Sequence, residues 1–129
     1  KLLAKELKIH NDIIIINKTY NPYPYMKKSD LLVLTSIYEG FPNVLVESLT
    51  IGTPVISTNA NAGASEIVLN GKGGELINIG DYNNLAKKIV NHFNSPKKLL
   101  KKTKIAQNNL FRFETKRHSK IYTNLFKKI

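Results

Sequence analysis

Cysteine and tryptophan are both missing from this sequence of 129 residues, and arginine occurs only twice among its 20 basic side chains. Without cysteine there are no disulfides, thiolate zinc sites or sulfur nucleophiles. Scarce arginine removes most of the side chains that grip phosphate or guanine in two-pronged fashion. The net charge of +11 is therefore a poor argument for nucleic-acid binding. Eighteen of the basic residues are Lys, and Asn and Ile number fifteen each, the joint enrichment an AT-rich gene would write at tolerant positions. An anionic membrane surface suits such a charge better than a nucleic acid does. Long apolar runs are lacking too: Ile13–Ile16 reaches four residues, against about 20 needed to cross a bilayer. Lys1–Lys8 alternates basic and apolar residues and has no secretion-signal core. The expectation is a soluble, cytoplasmic chain. What is present, 42% hydrophobic and 22% charged residues, suits one folded domain with its own core.

The pattern alternates short apolar runs with amphipathic stretches. Residues 1–9 place Leu2, Leu3 and Leu7 on one helical face. Ile13–Ile16 reads as a strand buried on both faces, the mark of a parallel sheet. Leu31–Leu34, Val55–Ser57 and Glu75–Ile77 read as further strands, with a short helix at 25–29 before them. Helices are expected at 42–51, stopping before Gly52, and at 81–93, with Asp81 as N-cap. Pro96 starts a Lys-rich helix, and residues 114–128 form the last, with Ile121, Leu125 and Phe126 as its stripe. The Lys runs read as solvated helix faces, and His10, His92 and His118 as surface residues. Strand–helix alternation with short loops indicates an α/β fold, a doubly wound parallel sheet of about four strands with helices on both faces.

One stretch lies where chemistry is expected. Thr35-Ser36-Ile37-Tyr38-Glu39-Gly40-Phe41-Pro42-Asn43-Val44-Leu45-Val46-Glu47 follows a parallel strand and opens a helix. In open α/β sheets, ligands bind at that edge. The amides of Asn43, Val44 and Leu45 would be free at the helix start, and the helix dipole favours an anion there. Glu39 precedes the helix, and Glu47 shares a face with Asn43. Carboxylates flanking an anion site suit a diphosphate with hydroxyl-bearing groups on either side, as in a nucleotide sugar. On the residues alone, two solvated surface glutamates fit equally well.

The same stretch resembles the E-x7-E signature of retaining GT-B glycosyltransferases, in particular glycosyltransferase family 4. The likeness also takes in Tyr25-Met26-Lys27-Lys28-Ser29-Asp30, Gly52-Thr53-Pro54-Val55-Ile56-Ser57-Thr58, Glu66-Ile67, Asn70-Gly71 with Gly73-Gly74, and Gly80-Asp81. It covers nearly the whole chain. The resemblance implies a partial Rossmann-like fold and assigns roles. Glu39 would be the catalytic carboxylate against the donor sugar. Gly40 and Phe41 would meet sugar hydroxyls or the distal phosphate. Pro42, Asn43, Val44 and Leu45 would form the diphosphate site, and Glu47 would bind the ribose hydroxyls. It implies a nucleotide-sugar donor, with UDP the favoured nucleotide, a glycan or lipid-linked acceptor, and no metal or other cofactor. Family members carry upstream strands, a Gly-rich turn, an Arg/Lys pair and an acceptor domain that have no counterpart here. Residues 1–129 are therefore expected to be an incomplete C-terminal, nucleotide-sugar-binding domain, unable to turn over alone, from an enzyme of bacterial surface-polysaccharide synthesis. Ile13–Ile16 should then stand apart from Leu31–Leu34, separated by the place of two missing strands. The rival reading is a basic α/β module binding RNA or another polyanion without catalysis. A sugar-nucleotide epimerase of related fold is a third.

Overall fold

The computed structural model describes residues 1–60 and 62–127. Three parallel strands form its sheet: β1 (Leu32–Leu34), β2 (Val55–Thr58) and β3 (Glu75–Ile77), in that order across the sheet. In register, Val33 faces Ile56 and Ser57 faces Leu76. All four residues of β2 are buried, as a central strand covered on both faces requires. Val55 packs on one side with Leu45 and Leu49 of α3 (Asn43–Ile51) and with Ala64 and Ile67 of α4 (Ala62–Ile67). Ile56 packs on the other with Ile77 and with Leu85 and Ile89 of α5 (Tyr82–Asn94). Helix α6 (Pro96–Gln107) gives Ala106 to the first cluster and Leu99 to the second. The α/β architecture with helices on both faces is the expected one.

Local chemistry explains most boundaries. Asp81 caps α5 by accepting the Asn84 amide at 3.0 Å. Gly52 ends α3 in the left-handed region at φ 97, and its amide returns to Leu49 at 3.0 Å. Thr53 then donates its hydroxyl to the Met26 carbonyl at 2.8 Å, tying in the short helix α2 (Tyr23–Lys28).

Four expectations need correction. The sheet has three strands, not about four, because Ile13–Ile16 forms no ladder and its side chains are 43–88% exposed. A strand needs a neighbour, and among the described residues β1 pairs only with β2. No backbone hydrogen bond among the described residues joins 13–16 to 31–35, so the two segments do not pair, as expected. Residues 62–67 form a helix where none was expected, with Asn61 outside the described residues. The last helix, α7 (Thr115–Phe126), buries none of its residues; Lys128, its expected end, lies outside the described residues. His92 is buried rather than exposed, with Nε2 3.1 Å from the Asp30 carbonyl. No helix among the described residues is long and apolar enough to cross a membrane.

Candidate functional site

The C-terminal end of β1 turns into the loop that leads to α3, beside the C-terminal end of β2, and two hydroxyls organise it. Thr58, at the end of β2, donates its hydroxyl to the Ser36 carbonyl at 2.6 Å. Ser36 donates its own hydroxyl to Glu39 Oε1 at 2.7 Å. A hydroxyl bond of that length to a carboxylate oxygen orients the carboxylate. Glu39 is thus held half-buried at the sheet edge instead of trailing in solvent.

Beyond Glu39 the backbone passes over α4. A Cβ on Gly63 would lie 2.4 Å from the Gly40 carbonyl oxygen and 3.3 Å from Phe41 Cα, so only glycine permits this approach. Gly40 and Phe41 stay exposed, while Pro42 is buried and opens the helix. The helix start offers two amides rather than the expected three. Leu45 donates to the Pro42 carbonyl at 3.0 Å and its side chain is fully buried in the core. The amides of Asn43 and Val44 have no acceptor among the described residues. Asn43 is exposed and Glu47, one turn on, is half-buried along the same face. The structure thus brings Glu39, Gly40, Phe41, Asn43, Val44 and Glu47 together on an open shelf, with Pro42 and Leu45 as its anchor in the core.

Residues that sequence reasoning passed over support this shelf. Ser36 and Thr58 sit at strand ends, a position that itself flags a ligand edge. Phe113 lies in the 3-10 turn Leu110–Phe113 and meets the Phe41 ring edge-on, with centroids 5.1 Å apart. A concavity lined by Glu75, Lys88, His92 and Leu99 lies near the opposite, N-terminal ends of the strands and holds none of these residues. Among the described residues, no three His, Asp or Glu side chains group so as to hold a metal ion.

Comparisons with known proteins bear on the fold and the family. The sequence profile of the family described as "Glycosyl transferases group 1" matches residues 1–109. The N-acetylgalactosamine-N,N'-diacetylbacillosaminyl-diphospho-undecaprenol 4-alpha-N-acetylgalactosaminyltransferase of Campylobacter jejuni is 34% identical over 83 residues, 64% of this chain and 23% of that protein. The capsular polysaccharide biosynthesis glycosyltransferase CapM of Staphylococcus aureus is 32% identical over 110 residues, 85% of this chain and 28% of that protein. Among solved structures, Anabaena Alr3699/HepE in complex with UDP superimposes with a TM-score of 0.90 at 25% identity, over 99% of this chain and 35% of that one. The same Anabaena protein has been solved with UDP-glucose. The chain spans about a quarter of the length of these two curated relatives.

Proposed function

Since the chain belongs to the group 1 glycosyl transferases, we propose that it is the donor-binding part of an enzyme that transfers a sugar from a nucleotide sugar, with UDP as the nucleotide. The observation that carries this reading is the pair of amides, Asn43 and Val44, with no acceptor among the described residues, at the start of α3 beside a carboxylate oriented by Ser36. Those amides and the helix dipole meet the diphosphate, and no metal is called for. Glu47 accepts hydrogen bonds from the ribose hydroxyls. Glu39 faces the donor sugar and supports the positive charge that develops at its anomeric carbon. The sugar is transferred with retention: its anomeric bond to the diphosphate breaks, the acceptor oxygen bonds from the same face, and the acceptor's proton passes to the departing phosphate oxygen. The UDP and UDP-glucose complexes of the Anabaena protein support the donor class. The names of the Campylobacter and Staphylococcus relatives support an acceptor that is a glycan, lipid-linked or capsular, in bacterial surface-polysaccharide synthesis. The Lys-rich surface suits peripheral contact with an anionic cytoplasmic membrane carrying such an acceptor.

The test is a titration of the 15N-labelled chain with UDP. Amides of Asn43 and Val44 should move first, followed by Gly40 and Phe41, with weak affinity; Glu47→Ala should weaken it further by removing hydrogen bonds to a charged group. Small shifts spread over Lys97–Lys104 and Lys116–Lys120, fading with added salt, would instead favour nonspecific attraction to a polyanion.

A further inference from the structure

We infer that Phe113 is a positioning residue for the loop that carries Glu39, an inference that rests on the donor-binding reading above. The backbone of the loop from Gly40 to Pro42 rests against Gly63. The Phe41 side chain adds a second contact, an aromatic one. The Phe41 and Phe113 rings meet at 5.1 Å and an interplanar angle of 66°, the edge-to-face arrangement that aromatic pairs favour. Phe113 is itself pinned. The Arg112 guanidinium lies 4.7 Å from its ring centroid, donates from Nε to the Asn109 carbonyl at 3.0 Å, and donates from NH2 to the Glu66 carbonyl at 3.1 Å. Glu66 is in α4, the helix whose Gly63 supports the loop from beneath. The loop is therefore clamped between α4 and a turn that is itself bolted to α4.

The clamp touches Phe41, at the sugar end of the shelf, and leaves the amides of Asn43 and Val44 alone. Its loss should be felt by the sugar more than by the nucleotide. That distinguishes positioning from ordinary core packing, which Phe113 also contributes beside Leu45 and Val68.

The experiment measures UDP and UDP-glucose affinities by NMR titration for the wild type, Phe113→Leu and Phe113→Tyr, with thermal melts alongside. Phe113→Leu keeps apolar bulk but removes the ring edge; it should weaken UDP-glucose about threefold to tenfold and UDP less than twofold. Phe113→Tyr should restore UDP-glucose binding. Equal losses for both ligands, tracking a fall in melting temperature, would overturn the inference, as would no loss for either. If the wild type binds neither nucleotide, the donor reading fails, and positioning is judged on the free protein. The heteronuclear NOEs of Gly40 and Phe41 should drop in Phe113→Leu and recover in Phe113→Tyr, and unchanged values would overturn it.

Discussion

Gly63 has no side chain because there is no room for one. With the Gly40 carbonyl 2.4 Å from a built Cβ, Gly63→Ala forces backbone against backbone, where no rotamer change gives relief. The substitution should cost about 1–3 kcal/mol by chemical denaturation and move the amides of Gly40 and Phe41. A stability within error of wild type would show that the loop yields freely. None of this is legible in Ala60-Asn61-Ala62-Gly63-Ala64-Ser65, since a close approach has no signature in a run of small residues. Leu45 teaches a related lesson. Position in a motif suggested a free amide, but the first backbone bond of the helix consumes it, and the leucine side chain, an apolar residue at core spacing, was the better guide. Glu39 and Glu47 were legible as a spacing, while the hydroxyls that orient Glu39 come from strand ends brought together only by the sheet.

Between elements, Glu75 is the notable joint. It begins β3 and receives ion pairs from Lys88 of α5 and Lys102 of α6, fastening two helices to one strand. Burial pushes its carboxyl pKa up, but the hydrogen bonds and charges of Lys102 and Lys88 together outweigh this and hold it below the ordinary carboxylate value. A depressed pKa means stability that is complete above the unfolded carboxylate's pKa and is lost as pH falls through the folded value. Thermal melts taken from neutral pH down through the carboxylate range should therefore show wild type losing more than Glu75→Gln, the two curves converging in acid. Parallel curves would deny the pairing any role. Lys102 sits in a run, 97–104, that read as a solvated basic face, and nothing in a run of lysines says which will find an acid. The strands were readable because β2 is apolar or small throughout and bounded by Gly52-Thr53-Pro54. Ile13–Ile16 was equally apolar, yet a strand is a relation between segments, and composition supplies only one side of it.

Over the whole molecule, charge and apolar surface oppose each other. A net +11 keeps copies apart, while Ile14 at 88% exposure, its isoleucine neighbours and the free edge of β1 invite them together. Salt decides the contest, since it screens the repulsion and leaves apolar contact intact. Sedimentation velocity should show association that grows with salt for wild type and is much reduced in Ile14→Lys/Ile16→Lys. Association that weakens with salt would place the contact in ion pairs instead. The same view from above gives the Phe41–Phe113 contact a meaning in time. During synthesis the shelf residues emerge long before the turn at 110–113, and a contact between segments so far apart in sequence is slow to close. The strands and α3 have their partners earlier, but the loop above them must wait. Until Arg112 and Phe113 have cleared the ribosome the shelf lacks its aromatic partner, so that capacity for ligand arrives after the strands that frame it.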